Sequence, residues 1–270
     1  MAELQILIAA YGKKGIDSIA SMPHPEMQGV EYLVSWQYGD DKPEIPRSLA
    51  ERKDFKIVPT PTRGLSVNRN LGLEMATGEI LLISDDDVCY TSDQLRAVIE
   101  AFRQRPGIDF ICFKYDSKDF PVAHPEKECG LRMPPWWLVS FCMAFRRKAV
   151  EDCGIRFNER FGIGAEFTSA EESVFLFDLL QAGFKAMYLP ISVVSHPGDT
   201  TVMRIGDQPD FIRAKAASFC RIYPLTWPLR MATHSWRFSP DLSQKVRYLR
   251  TWLDGVKAYH RHDDSHIANK

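Results

Sequence analysis

Ile80-Leu81-Leu82-Ile83-Ser84-Asp85-Asp86-Asp87-Val88 is the stretch from which the fold can be read. Four apolar residues in unbroken succession describe a strand buried on both faces, the pattern of a parallel sheet covered by helices. Three carboxylates follow at its C-terminal end, where open α/β sheets place their ligands. Adjacent anions repel one another, and a divalent cation held by oxygen ligands relieves that repulsion while bridging to phosphate oxygens. A diphosphate ligand fits this chemistry. A solvated acidic turn capping the next helix is the simpler account of an Asp triplet. It loses ground because this triplet ends a buried strand, with Arg63, Asn68, Arg69 and Asn70 just upstream on an element expected to pack nearby.

Outward from this stretch, short apolar runs recur at residues 4–9, 32–36, 55–58 and 110–113, separated by segments long enough for helices or crossover loops. Such alternation argues for α/β. Leu65, Arg69, Gly72, Leu73 and Ala76 share one helical face, and Gly78 supplies a stop. Ser92 is placed to cap a helix whose Leu95, Val98, Ile99 and Phe102 recur at three- and four-residue spacing. Apolar residues thicken again over 136–145, a helix is expected from about Glu171, and a last strand spans 186–194. Beyond about residue 200 the strand pattern gives way to a helical, aromatic segment with no linker of its own. The organisation read is a catalytic-type domain over 1–198 and a helical C-terminal extension over 199–270 that is not independent.

The 34 basic and 35 acidic residues of the 270 nearly cancel, so nothing points to nucleic acid, and recognition must be local. Cys89, Cys112, Cys129, Cys142, Cys153 and Cys220 form no C-x-x-C pair and read as reduced, mostly buried thiols. The chain enters its first strand without a charged-then-apolar leader. No run approaches the roughly 18 apolar residues of a membrane span. The expectation is a cytoplasmic protein, at most peripheral to a membrane.

Arg63-Gly64-Leu65-Ser66, Arg69-Asn70-Leu71-Gly72, Ala76-Thr77-Gly78-Glu79 and Asp85-Asp86-Asp87, in this order and spacing, resemble the core of family 2 glycosyltransferases. Phe145-Arg146-Arg147, Phe157-Asn158-Glu159-Arg160-Phe161, Glu171-Glu172, Ala182-Gly183-Phe184-Lys185 and the segment from Pro190 to His196 resemble the second half of the same domain. The resemblance covers residues 1–198. It implies a GT-A fold, a Rossmann-like mixed sheet flanked by helices, and inverting transfer from a nucleotide-diphosphate sugar with Mn2+ or Mg2+. The setting it implies is bacterial surface-polysaccharide assembly on the cytoplasmic side of the membrane, with a glycan or lipid-linked acceptor.

Carried over residue by residue, the resemblance gives Asp85 the donor ribose and a share of the metal. Asp87 holds the metal between the phosphates, and Asp86 assists either role. Ala10 and Tyr11 line the base pocket, and Arg63 or Arg69 reaches the nucleotide. Many family members carry an aspartate pair after the second strand, where this chain has Trp36-Gln37, with Asp40-Asp41 a few residues later. A Gln amide donates and accepts toward a uracil edge. UDP is therefore the first expectation for the donor nucleotide, with Gln37 and Asp40 beside it.

Displacement at an anomeric carbon needs a carboxylate to take the acceptor proton. By resemblance the second acidic residue of Glu171-Glu172 is that base, a Glu where the family usually has Asp. Ser169-Ala170-Glu171-Glu172 also fits a capping box, with Glu172 reaching back to the cap, or Glu171 doing so from Thr168. His196 is placed to complete the metal site as in some related transferases, although a lone loop histidine is more often structural. A nucleotidyltransferase and a non-catalytic nucleotide- or sugar-binding module stand as alternatives.

In the C-terminal extension, Arg221, Arg230, Arg237, Lys245, Arg247, Arg250, Lys257 and Arg261 face only Asp241 and Asp254 over residues 221–262. Leu242, Val246, Leu249, Leu253 and Val256 form a helical stripe, and Trp227, Trp236 and Trp252 suit a lipid interface or sugar faces. A helix packed on the catalytic domain with a solvated basic face is the alternative.

Overall fold

The computed structural model describes residues 2–40, 44–117, 123–196, 208–238 and 241–261. β1 (Leu4–Tyr11), β2 (Val30–Gln37), β3 (Phe55–Thr60) and β4 (Ile80–Asp85) are the expected apolar runs, each extended at one or both ends. Between them lie α1 (Gly12–Ser21), the single turn α2 (Arg47–Ala50) and α3 (Leu65–Met75). α4 (Ser92–Arg103) leads to β5 (Phe110–Ser117) and the short β6 (Cys129–Leu131). A 3-10 turn (Ser140–Cys142), β7 (Met143–Arg146), α5 (Arg147–Cys153), α6 (Glu171–Gln181) and β8 (Ala186–His196) follow.

The described strands make one eight-stranded sheet in the order β3-β2-β1-β4-β7-β5-β8-β6. β7 runs antiparallel between β4 and β5, and β6 antiparallel on the far edge, against an otherwise parallel set. The sheet is therefore mixed, and helices cover it. Register decides the site: Ala9 pairs with both Ser35 and Asp85, and Tyr11 with Gln37. The carboxyl ends of the three strands thus come level. Because β7 opposes β4, with Leu82 beside Ala144, the chain enters β7 at the carboxyl end of β4 and brings the 3-10 turn there.

Two helix starts differ from the sequence expectation. Thr91, not Ser92, caps α4: its Oγ1 accepts from the Gln94 backbone N–H at 3.3 Å, and Gln94 Oε1 accepts from the Thr91 N–H at 2.8 Å. α6 has no capping box. Its N-cap is Ala170, which carries no side-chain acceptor, and Thr168 Oγ1 has no hydrogen-bond partner among the described residues. Ala170 sits in the left-handed region at φ 74°, which costs a non-glycine residue about 1 kcal/mol and recurs at functional sites.

The main core fills the sheet faces, with Trp36, Phe102, Phe110 and Phe145 fully buried. A second core joins Phe161, Phe167 and Val174 to the C-terminal helices α7 (Pro209–Ile222) and α9 (Leu242–Arg261), with α8 (Trp227–Phe238) between them. Polar ties reinforce this contact. Arg160 donates from Nη2 to the Ala258 and Tyr259 carbonyls, and Arg221 donates to Asp178 of α6.

The buried face of α9 takes only Val256, and in part Leu249, from the aliphatic stripe. Tyr248, Trp252, Val256 and Tyr259 are buried, whereas Val246 and Leu253 are exposed and the Leu242 side chain lies outside the described residues. Larger rings remove more apolar area from water per position, so the aromatic face wins the contact. Trp252 is fully buried rather than interfacial, Trp227 is partly buried, and Trp236 is exposed. All six cysteines are free, with Cys112, Cys142 and Cys220 buried and Cys129 exposed. Among the described residues no helix is long and apolar enough to cross a membrane.

Candidate active site

The site is built around α3, whose first turns carry four buried polar residues on one short segment. Ser66 donates from Oγ to the Phe161 carbonyl at 2.6 Å, and Asn68 from Nδ2 to the Ala10 carbonyl at 3.0 Å. Asn70 donates to the Phe157 carbonyl at 2.9 Å and to Glu159 at 3.0 Å, and accepts from the Phe157 N–H at 2.8 Å. Arg69, 3% exposed, donates from Nη2 to Asp85 Oδ1 and from Nη1 to Glu171 Oε1, both at 2.9 Å. One guanidinium therefore joins the end of β4 to the start of α6. A planar fork with fixed donor directions is suited to holding two carboxylates apart at a set distance.

At the end of β4, Asp85 is 31% exposed on its side chain, and its Oδ2 accepts from Ser140 Oγ at 3.0 Å. Asp86 turns the other way. Its Oδ2 accepts from the Tyr11 backbone N–H at 3.4 Å and would lie 2.3 Å from a Cβ on Gly15, so a side chain at that point of α1 would have to displace the carboxylate. Burial foremost, opposed by the Tyr11 N–H and aided by the charges of Asp87 and Asp85, pushes Asp86 up to about 6. Asp87 is exposed.

At the start of α6 the setting is drier. Glu171 is buried, ion-paired to Arg69. Burial first and the Glu171 charge second raise Glu172 well above the usual carboxylate range, and Arg69 pulls it the other way. The two glutamates lie within hydrogen-bonding reach of each other. Burial and the neighbouring charge thus favour the protonated form of Glu172.

The remaining expected positions divide. Ala10 is buried with its carbonyl held by Asn68, while Tyr11 is exposed at the strand end. Gln37 is buried and donates to Thr62 Oγ1 at 3.2 Å and to the Gly64 carbonyl at 3.0 Å, so its amide N–H groups hold the loop before α3 rather than face a base. Arg69 likewise lies beneath the site with both Nη groups committed to carboxylates, a correction to the expectation that it reaches the nucleotide. Arg63 and Asp40 form an exposed ion pair at 2.6 Å on the same edge. His196 ends β8 opposite Ser117. Its side chain and Asp41 lie outside the described residues, as do residues 118–122 and 197–207, which fall within the two stretches, Asp116 to Pro135 and beyond His196, where acceptor loops are expected.

Sequence reasoning missed Ser140 and Gly15. Ser140 stands in an apolar stretch with no polar pattern of its own, and a glycine inside a helix carried the only hint of close approach.

Among the described residues no three His, Cys, Asp or Glu side chains gather into a ready metal site. The oxygen donors of Asp85 and Asp87 nevertheless suit a hard divalent cation of the kind held by one or two carboxylates with substrate phosphates and water completing its shell. Such an ion would offset charge on a departing diphosphate.

The family model for glycosyl transferase family 2 matches residues 39–172, a span that holds Asp40, Arg63, Arg69, the Asp triplet and both glutamates. The chain carries a glycosyl transferase family 2 domain. It is a glycosyltransferase of the GT-A type. No curated protein matches the sequence. Among solved structures, S. aureus TarS 1-349 in complex with UDP-GlcNAc has 17% identity and a TM-score of 0.65, covering 96% of this chain and 82% of that one. A longer S. aureus TarS structure, at 17% identity and TM-score 0.61, shares 95% of this chain but 49% of its own length. The mannosyltransferase PcManGT from Pyrobaculum calidifontis, in complex with GDP-Man and Mn2+, has 15% identity and a TM-score of 0.58, covering 97% of this chain and 76% of that one. At these identities the likeness concerns the fold.

Proposed function

We propose that this glycosyltransferase moves a sugar from a UDP-sugar to an acceptor hydroxyl with inversion, assisted by Mn2+ or Mg2+. The single observation that carries the reading is the Arg69 bridge, which sets Asp85 and the Glu171-Glu172 pair around one centre. Asp85 and Asp87 would hold the cation, with Asp86 and His196 beside it; Asp85 would also meet the ribose. Tyr11, Ala10 and the Arg63–Asp40 edge would border the nucleotide, with Gln37 shaping the loop behind it. Glu172 takes the acceptor proton as the hydroxyl oxygen bonds to the anomeric carbon and the diphosphate oxygen leaves. Glu171, fixed by Arg69, orients it. The bound UDP-GlcNAc of the TarS structure and the GDP-Man and Mn2+ of PcManGT support a nucleotide-sugar donor and a divalent ion, and they make uridine against guanosine the point to test.

The test is a thermal-shift screen of UDP, GDP and their sugars with and without Mn2+. Stabilisation by uridine ligands that grows with Mn2+ is expected; a response to guanosine ligands alone would replace the donor assignment, and indifference to Mn2+ would remove the metal.

The C-terminal helices bear on the acceptor. Leu225, Leu229, Trp236, Val246 and Leu253 are exposed alongside Arg230, Arg247, Arg250 and Lys257. This combination supports peripheral contact with an anionic membrane on the cytoplasmic side and hence a glycan or lipid-linked acceptor, as in surface-polysaccharide assembly. Sedimentation with anionic but not neutral vesicles is the expected behaviour.

A further inference from the structure

The loop between α5 and α6 is fastened on two sides. Residues 161–167 are first closed on themselves: Phe167 donates its N–H to the Arg160 carbonyl and Gly162 its N–H to the Phe167 carbonyl, both at 2.8 Å. On one side the loop meets the first turn of α3, where the Phe161 carbonyl accepts from Ser66 Oγ at 2.6 Å and the Ile163 carbonyl from the Leu65 N–H at 2.9 Å. Gly164 lies so close to Gly64 that a Cβ on it would stand 3.3 Å from the Gly64 Cα.

On the other side stands the last turn of α9. The final carbonyls of a helix have no helical N–H to accept from, and those of Ala258 and Tyr259 are met from the loop. Arg160 donates from Nη2 to the Ala258 carbonyl at 3.0 Å, and from Nη1 and Nη2 to the Tyr259 carbonyl at 3.2 Å. Its Nε donates across the loop to Glu166 Oε2 at 3.0 Å. The guanidinium also covers the Phe167 and Tyr259 rings, 5.1 and 5.4 Å from their centroids. A cation at a helix C-terminus is favoured by the helix dipole as well.

What the loop braces is the glutamate pair. A Cβ on Gly162 would stand 3.5 Å from Cγ and Cδ of Glu171 and 3.2 Å from Ser66 Oγ, so the bare backbone at 162 lies alongside the Glu171 side chain. Glu171 is thus held by Arg69, which donates to it at 2.9 Å, and by this loop. Glu172 follows it in the first turn of α6. A base must stand within about 2.6–3.2 Å of the oxygen whose proton it takes, so small displacements of that turn are felt in the rate.

We propose that Arg160 is a positioning residue for transfer: by capping the end of α9 while bracing the 161–167 loop, it makes the C-terminal extension a support for the Glu171-Glu172 pair. The inference rests on Glu172 as the base. Arg160 acts at one remove, through the loop backbone at Gly162 to Glu171. The extension then serves the chemistry as well as the second core.

Arg160→Met keeps the apolar stem and removes the donors. The full chain is followed by amide hydrogen exchange and by UDP release from UDP-GlcNAc in Mn2+, water serving as acceptor; GDP-mannose replaces it if guanosine ligands alone stabilise the protein. Exchange at the Gly162 and Phe167 N–H groups is expected to quicken on the order of tenfold, as loss of a charged donor's hydrogen bonds allows, while exchange in β4 stays at wild type. kcat is expected to fall on the order of tenfold, less than the roughly 100-fold that a 1 Å misplacement costs, with KM for the nucleotide sugar near wild type. Loop exchange unmoved, or quickened with kcat unchanged, overturns the proposal, as does a rise in KM alone. Tyr259→Leu reads the same contact from α9 with the loop sequence intact, and it carries the test if Arg160→Met does not fold. It is expected to quicken the same two amides by less, and its effect on kcat is expected not to add to that of Arg160→Met, because both act on one contact; additive effects overturn the proposal. Turnover by Glu172→Gln separates the two readings. Retained turnover removes Glu172 as the base, whereas lost turnover there with full kcat in Arg160→Met removes only the inference.

Discussion

The carboxylates at the end of β4 and those at the start of α6 share one guanidinium but occupy different media. Asp85 and Asp87 stand at a strand end with water near, one steadied by Ser140 and Arg69, the other exposed. Glu171 is buried against Arg69 of α3 and close to Gly162, and at the half-buried Glu172 burial works against charge. Identical functional groups thereby acquire separate tasks. The exposed set suits a cation, and burial raises the proton affinity of Glu172. Arg69 is the element common to both, which makes it the place where the difference is most easily destroyed.

Replacing Arg69 with Met leaves Asp85 and buried Glu171 without their cation. A loss of about 3–5 kcal/mol in stability is expected by chemical denaturation, since breaking a buried pair strands a charge. Arg69→Lys should recover only part of it, because a point charge cannot serve both carboxylates as the fork does. A small loss would show that the two sets are not coupled through this residue.

Glu172→Gln attacks the drier set alone. Turnover should fall on the order of 100-fold, while the folded state and Mn2+-dependent donor stabilisation stay near wild type. If donor binding falls with turnover, the division of tasks is wrong.

Asp86, turned inward from the same strand end, is tested by pH. Its native value of about 6 lies above the ordinary 3.8. Between the two the native state keeps a proton that the unfolded chain has released, so this contribution is present at low pH and is lost as pH rises through about 6. In EDTA, Asp86→Asn should flatten the stability profile over that window and gain on the order of 1 kcal/mol at pH 7 after discounting for partial exposure. A profile still sloping there would assign the slope to another group.

Ser140→Ala is the mildest probe. Loss of one hydrogen bond to Asp85 should cost about 1 kcal/mol or less and weaken Mn2+ binding by calorimetry only a few-fold. No change at all would mean that Arg69 alone sets the Asp85 side chain.

Much of this was legible in the chain. Apolar runs ending at turns reported the strands, because a strand buried on both faces has no alternative use for four consecutive aliphatic residues. The Asp triplet reported its place at the carboxyl edge for the same reason. The face of α3 was legible too, but not the partners of its polar residues. Arg69 and Glu171 are 102 residues apart, and helical periodicity says which side is buried without saying against what. The same blindness produced the wrong stripe on α9, where aliphatic spacing and aromatic spacing compete and only the partner surface chooses. The capping box at 169–172 failed because Ala170 takes a left-handed conformation imposed by the loop before it, which no local rule anticipates.

By itself, then, the sequence determined the α/β sheet, the order of its strands' chemistry and the family, since these rest on local patterning and ordered motifs. Tertiary structure alone decided that Arg69 is a bridge beneath the site, that Gln37 braces a loop, and that α7 packs against α6. Each of those depends on which surfaces meet after the chain has closed, and a carboxylate's proton affinity is set by the charges and water around it rather than by its neighbours in the chain.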